Sequence, residues 1–297
     1  MARLASRQSV TPLVRNTSRW AWDWLGVVPF FLFIFAFLLL PSGTLFLGAF
    51  QDGAGAWTIN NIVALNSPQI IKAYSLSLQV SLATSLVGGI FGFLVAYAIT
   101  VGGTPGWLRS ALLTFSGLAA IFGGVPLAFA FIATVGRTGF VTALLKGLGL
   151  DLYEAGFSLY GFFGLTLAYT YFQFPLMVLT ITPALDGLKR EWREASANLG
   201  ASAWEYWWHV ALPILWPSIL GTMILLFGSA FGAFATAQAL TGGQILLVTI
   251  LIGQQIRGDV LGNANLGYAL ALGMVVVMGI CIAIYTILQR RTTRWLR

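Results

Sequence analysis

The chain has 297 residues, 58% of them hydrophobic and only 8% charged, and its mean hydropathy is +0.85. Charged residues make up roughly 25% of an average soluble domain, so this composition excludes a soluble globular protein and points to an integral membrane one. The 16 Lys and Arg against 9 Asp and Glu leave a net charge of +7, and where that excess falls decides whether nucleic acid has to be invoked as a partner.

Residues 1–24 form a polar, basic tail (Arg3, Arg7, Arg15, Arg19) closing on Trp20, Trp22 and Trp24, aromatic anchors of the kind found at a membrane boundary. The apolar run after it is too long for a cleavable leader and lacks a small-residue cleavage site, so a retained first span is expected over 25–49. Pro29 and Pro41 then lie near its ends. Residues 50–71 are expected as a loop, with Asp52 and the turn-prone pairs Asn60-Asn61 and Ser67-Pro68. A second span over 73–101 carries small residues, and Gly88 and Gly92 offer a face for close helix approach. The third span, 108–135, is interrupted by Gly123-Gly124 and Pro126, and 136–159 returns as a loop with a short amphipathic helix. A fourth span covers 160–183.

Next comes a polar island, 185–217, between membrane-grade segments. Lys189, Arg190, Glu191 and Arg193 crowd its first turns, so it lies outside the lipid, where charge is affordable. Leu188, Trp192, Ala195 and Leu199 fall on one helical stripe. Arg190 and Glu194 sit four apart and can pair. Gly200 ends that helix, and Ser202-Ala-Trp-Glu205 has the spacing of a capping box that starts another. The spacing predicts helix, tight turn, helix. A fifth span follows from Pro213 to about Gln238, with Gly228 and Gly232 four apart. The apolar stretch 245–256 is too short to cross and reads as re-entrant or interfacial. The last span is 266–289, closed by Arg290, Arg291, Arg294 and Arg297. Cys281, the only cysteine, sits in that span as a small buried apolar side chain.

Six spans make one membrane domain over 25–297, all helical, with both termini and the 185–212 loop on one side. That side carries twelve basic and five acidic residues, net +7, while the other carries four of each and is neutral. The positive-inside rule makes the basic side cytoplasmic. Topology thus absorbs the charge, and no nucleic-acid partner is required.

Chemistry-bearing residues are few. The chain lacks a Gly-x-x-x-x-Gly-Lys-Ser/Thr phosphate loop and any metal-spaced cluster, and His209, the sole histidine, reads as interfacial packing. Polar candidates for lining a pathway are Gln79, Tyr169, Tyr171, Gln173 and Gln238, with Gln254 and Gln255 by the re-entrant stretch. Helix-to-helix hydrogen bonding accounts for them equally well.

The island carries a family resemblance. Glu194-Ala195-Ser196, Gly200 four residues on, then Val210-Ala211-Leu212-Pro213 resembles the EAA loop of permease subunits of binding-protein-dependent ABC importers. Ser196 replaces the pattern's second Ala and Val210 its Ile. In that family the loop's short helix docks on a separate ATP-hydrolysing subunit. The resemblance therefore implies coupling roles for Arg193, Glu194, Ala195, Ser196, Ala197, Leu199, Gly200, Ala201, Leu212 and Pro213. It implies a non-catalytic permease of type I importer fold with no cofactor of its own, ATP and Mg²⁺ belonging to the partner. The resemblance further implies a second, homologous heteromeric permease and an extracytoplasmic solute-binding protein, assembled in a bacterial inner membrane.

The segments 237–243, 252–260, 265–274 and 289–296 are similar to the spermidine/putrescine-type group. That implies a polyamine solute, with ferric iron, thiamine or phosphonate as alternatives in the wider group. A self-sufficient secondary transporter is the competing class, although such proteins tend to carry midplane acids or inverted repeats that are not evident here. A membrane scaffold would leave the island unexplained.

Overall fold

The computed structural model describes residues 18–257 and 262–293, so the basic tail up to residue 17, the stretch around Asp259, and Arg294 and Arg297 lie outside the described residues. Among the described residues the fold is all helix, the β feature being one isolated bridge between Gln51 and Trp57. Six stretches are long and apolar enough to cross a membrane: Gly26–Ala49, Pro68–Thr100, Gly124–Gly147, Phe162–Asp186, Ala203–Phe231 and Ala264–Arg290. The described residues fall into two compact units divided between Leu47 and Gly48.

The first unit is one helix with a defect. Helix α1 (Ser18–Ile34) passes through a π turn (Phe35–Leu39) into α2 (Leu40–Ala49). The crossing stretch Gly26–Ala49 matches the expected 25–49, while the helix itself begins at Ser18, so Pro29 lies well inside it, and Pro41 follows the π turn. Proline gives no N–H and its ring crowds the carbonyl four residues back. The extra residue of the π turn absorbs that at Pro41: the Leu40 N–H reaches back to the Phe35 carbonyl.

In the second unit the expected 50–71 loop is shorter. Asn60-Asn61 opens helix α3 (Asn60–Ala64) instead of a turn, and the buried Asn61 donates to the carbonyls of Ala49 and Gln51 at 3.2 and 2.8 Å. Ser67-Pro68 starts the second span, because proline is suited to a helix's first turn. That span is α4 (Pro68–Thr100), 33 residues long.

The third span is the largest departure. The expected 108–135 falls on two helices, α5 (Gly106–Ile121) and α6 (Gly124–Val135), broken at Phe122-Gly123, and the stretch long and apolar enough to cross is α6 with α7 (Phe140–Gly147), while α5 is a shorter apolar helix. Gly124 takes φ +73, a left-handed conformation that a glycine adopts at no steric cost. Arg109 pairs with Asp186 at 2.6 Å, and at the other end the Tyr153 hydroxyl donates to the Val135 carbonyl at 3.0 Å. Arg109 opens α5 and meets the end of α8 (Phe162–Asp186), while Phe122 just past α5 meets Tyr171 midway along α8, so α5 runs antiparallel to α8. In the loop after α7 the Lys146 ammonium, 2.9 Å from Asp151, holds that carboxyl below the usual carboxylate range.

Beyond α8 come α9 (Arg190–Asn198), α10 (Ala203–Tyr206), a π turn (Trp207–Ala211) and α11 (Leu212–Phe231). The fifth span does not start near Pro213 but runs without a break from Ala203 to Phe231. Here too a π turn precedes a Leu-Pro pair, with the Leu212 N–H bonded to the Trp207 carbonyl. The span ends at Phe231, short of Gln238, which lies instead on a separate helix, α12 (Ala235–Thr241). The stretch expected to be re-entrant forms α13 (Val248–Arg257), and α14 (Ala264–Thr293) is the last span. Cys281 is only half-buried there, and free.

At the centre α4 grips α8 through glycines. A Cβ on Gly88 would stand 2.6 Å from the Gln173 Cβ, and one on Gly92 would stand 2.5 Å from the Met177 Cβ and collide with the Phe174 carbonyl. Gly89 faces α11, where the neighbour is the flexible tip of Met223. Below this seam Ala96, Ile99, Met177, Ile181, Leu215 and Leu226 form one apolar cluster that binds α4, α8 and α11. Gly92→Ala should cost about 1–3 kcal/mol of stability through overpacking against immovable backbone, and Gly89→Ala less, because a methionine tip can swing away. Melting temperatures of the two variants in mild detergent, measured side by side, check the ranking.

Candidate functional site

The polar island folds as its spacing predicts. Helix α9 ends in a Schellman arrangement: the Gly200 N–H bonds to the Ala197 carbonyl at 2.9 Å and the Ala201 N–H to the Ser196 carbonyl at 3.1 Å. Gly200 has φ +83, which is what turns the chain. Two residues on, the Ser202 hydroxyl accepts the Glu205 N–H while the Glu205 carboxylate accepts the Ser202 N–H at 2.7 Å, a complete capping box. The hydrogen bonds from the Ser202 N–H and hydroxyl hold the Glu205 carboxyl below the usual carboxylate range.

Arg190 and Glu194 pair at 2.8 Å on an open face, a contact worth about 0.3–0.5 kcal/mol. Arg193, Glu194, Ala195 and Ala197 are exposed, Ser196 and Ala201 half-exposed. The stripe is split: Leu188 and Trp192 are half-buried, with the Lys189 ammonium 5.8 Å from the Trp192 ring, while Leu199 is 89% exposed. Trp204 and Trp208 stack at 5.9 Å beside it, also exposed. His209 makes no more than a contact with the carbonyl of Glu205 in its own helix, 3.1 Å away.

The elbow is fixed to the bundle on its other side. Tyr206 is buried, and Trp207 packs edge-on against Tyr97 near the end of α4 at 4.9 Å. A small cleft of about 210 Å³ remains between Thr100, Asp186, Lys189, Arg193 and Tyr206. Leu212 is half-buried and Pro213 exposed, both within the continuous helix that becomes the fifth span.

The polar residues expected at membrane depth go to different places. Gln79 is exposed and bonds to Ser75 on its own helix at 3.1 Å. Tyr169 and Gln173 are wholly buried and bond across to α11, at the Ala233 carbonyl just past its end (2.9 Å) and the Leu226 carbonyl (2.7 Å). These two serve helix-to-helix bonding; the Gln173 Oε1 is left without a partner in the core. Gln255 accepts the Asn263 N–H at 2.9 Å. The structure brings together only Gln238 and Gln254, whose amide nitrogens both approach Gly243. They line a cleft of about 450 Å³ with Phe234, Ile250, Gly253 and Arg257. Arg257, with its guanidinium 5.3 Å from the Phe234 ring, was not singled out from sequence. Its only sequence signal is a cation closing an apolar run two residues after the Gln254-Gln255 pair.

Residues 98–297 match the family described as the binding-protein-dependent transport system inner membrane component. The probable sulfate transport system permease protein cysT of Chlorella vulgaris is 31% identical over 233 residues, which cover 74% of this chain and 78% of that protein. The sulfate transport system permease protein CysT of Escherichia coli K12 is 28% identical over 214 residues, covering 71% and 72%. A chain in the crystal structure of a bacterial ABC transporter that imports the acidic polysaccharide alginate superposes with a TM-score of 0.75 at 19% identity, covering 93% of this chain and 98% of that one. That last likeness is one of fold.

The elbow's sharpness rests on one backbone conformation. A Cβ at Gly200 meets nothing within 4 Å, so any penalty there is conformational and not steric crowding. Gly200→Val should loosen the turn by about 1–2 kcal/mol, while Gly200→Asn, which tolerates the left-handed region, should cost less. Amide hydrogen exchange across 197–206 distinguishes the two.

Proposed function

The chain belongs to the family of binding-protein-dependent transport inner membrane components and is a membrane permease subunit of an ABC importer, and from that premise we propose that its 190–205 elbow is where ATP hydrolysis in another subunit is converted into movement of the spans. The subunit itself is not an enzyme. The observation that carries the proposal is the elbow's construction. Helix α9 stands clear of the bundle on its outer face, ends at Asn198, and is joined by the four residues 199–202, with Gly200 at the bend, to a single helix running from Ala203 through the fifth span. A push on such a corner travels into the spans without a loop to absorb it.

In this reading Ala195, Ser196, Ala197 and Gly200 let a partner surface come close, and Glu194 and Arg193 supply charge at its edge. Exposed Leu199, Ala201 and the stacked Trp204–Trp208 pair give it an apolar patch, and Leu212 and Pro213 mark the stiff root. The partners are ATP-hydrolysing subunits that carry ATP and Mg²⁺, a second permease subunit, a solute-binding protein on the opposite face, and membrane lipid. The excess of Lys and Arg on the elbow's side supports placing it, with both termini, in the cytoplasm of a cell with an inner membrane.

The solute follows the wider importer reading rather than polyamine. Polyamine gains no support from the similar proteins: the two CysT proteins are sulfate permeases and the structural neighbour imports alginate, both anions, while the thiamine transport system permease protein ThiP of Escherichia coli K12, 32% identical over 152 residues, is named for a cation. A self-sufficient secondary transporter is separated from this reading by co-purification: the importer permease comes out of the membrane with an ATPase.

Glu194→Arg and Gly200→Trp should each leave the chain inserted in the membrane while ATP-driven uptake falls about tenfold or more, the loss expected when a hot-spot contact is removed. Uptake by vesicles holding the complete importer, with expression checked by immunoblot, tests both. Wild-type rates in either variant would remove the elbow from the coupling mechanism.

A further inference from the structure

We propose that the cleft between α12 and α13 is a solute-recognition site and that it takes a small oxyanion, whose charge is met by Arg257 and whose remaining oxygens are met by the carboxamides of Gln238 and Gln254. This rests on the permease reading above and adds to it a site and a substrate class.

The cleft belongs to a rigid part of the molecule. The two helices that form it lie between the fifth and sixth spans, at the end of α11 remote from the elbow. Three bonds from distant residues fix them: Ser77 on α4 accepts the Val248 N–H that opens α13 (2.9 Å), Thr236 on α12 accepts the Gly124 N–H (2.8 Å), and Tyr169 donates to the Ala233 carbonyl just before α12 (2.9 Å). Side chains placed on such elements hold their geometry better than side chains on loops.

Arg257 is set up to receive an anion. Gly253 leaves room for the Phe234 ring, which would lie 2.9 Å from a Cβ at that position, and the guanidinium rests over the ring. A cation–π contact consumes none of the guanidinium N–H donors, which stay available to a ligand. Among the described residues Arg257 forms no ion pair, and no acid lines the cleft. Arginine has five donors and no acceptor, so the group that completes this edge is an oxygen-bearing anion. Both Gln238 and Gln254 bring amide nitrogens to the same spot beside Gly243, within 4 Å of where its Cβ would be. At about 450 Å³ the space suits a small solute.

A cationic solute would need carboxylates or an open aromatic face, and the one ring here is already covered by Arg257. Anionic lipid headgroups present the same oxygens as a free oxyanion, so the test has to separate those two sources.

The complete importer, with its ATPase subunits, second permease and binding protein, is reconstituted in phosphatidylcholine vesicles, and uptake of labelled sulfate, glucuronate and putrescine is measured. The expected result is ATP-dependent uptake of sulfate or glucuronate, reduced about tenfold or more by Arg257→Gln and partly recovered in Arg257→Lys, the scale of a lost charge-assisted hydrogen bond. Gln238→Leu and Gln254→Leu, measured in parallel, should each raise the KM for the same anion. Uptake of putrescine alone, of none of the three, or of an anion at an unchanged rate in Arg257→Gln overturns the proposal. So does an Arg257→Gln effect that appears only when phosphatidylglycerol is added, which would assign the oxygens to lipid. Failure of the importer reading itself looks different: flux through the wild-type complex would then not need ATP.

Discussion

A helix that breaks in a membrane-spanning bundle frees N–H and C=O groups where little water is available to take them, and the fold depends on how those groups are satisfied. Three breaks lie toward one end of this bundle: between α5 and α6, after α11, and before α13. At each, a hydroxyl from a residue far away in sequence supplies the missing partner: Thr236 for Gly124, Tyr169 for Ala233, Ser77 for Val248. Each bond satisfies a polar group and also fixes where a short helix sits. Without them the 232–257 segment would have neither a place nor a reason to hold one. The broken architecture and the interhelical polar bonds are therefore one feature.

The same economy governs the unbroken helices. Pro41 and Pro213 both sit in long helices, each directly after a leucine whose N–H reaches five residues back across a π turn. The widened turn lets the chain pass a proline without ending the helix, and at Pro213 this has a mechanical consequence. The helix that begins at the capping box of Ser202 is the helix that crosses the membrane, so the elbow has a stiff arm on one side. On its other side α8 ends at Asp186, tied to Arg109, three residues before α9's cap at Lys189. The two arms meet again at α4, where Gly88 and Gly92 let α8 come to backbone distance and the Met177–Leu215–Leu226 cluster brings in α11.

Much of this was legible in the chain. The number of spans, the glycine face at 88 and 92, the Gly200 turn and the capping box each rest on local rules, residue spacing and backbone freedom, and local rules survive folding. What was missed needed partners distant in sequence. Gln238 was expected to end the fifth span because apolar character continues past Phe231, yet the chain breaks there, since Tyr169 and Thr249 both reach the carbonyl of Ala233. The third span was expected to be one interrupted helix, and it became two because Gly124's left-handed turn is capped from residue 236. For Tyr169 and Gln173 the sequence left pathway lining and helix-to-helix bonding equally open, since it does not say that the carbonyls of Ala233 and Leu226 lie opposite them. Arg257 was not singled out because its partner, the Phe234 ring, is 23 residues away and comes close where Gly253 leaves room for it.

The position of Arg257 also bears on how a permease can recognise a charge without trapping it. A guanidinium that faces a carboxylate inside a bundle is neutralised and bound, whereas one lying on an aromatic ring keeps its charge while part of its hydration is replaced. Such a group attracts an anion over a short range but presents few fixed contacts from which the anion must later be released. The carboxamides of Gln238 and Gln254 suit the same need, since they can turn to donate or accept and hold neither charge nor fixed orientation. The cleft stands on α4 through Ser77, and α4 is the helix that α8 grips through glycine. On the coupling proposed for the elbow, a shift of α8 reaches the cleft through packed backbone and one hydrogen bond, with no flexible loop in between. A solute held by one guanidinium edge and two amides is then held loosely enough to be released when that backbone moves.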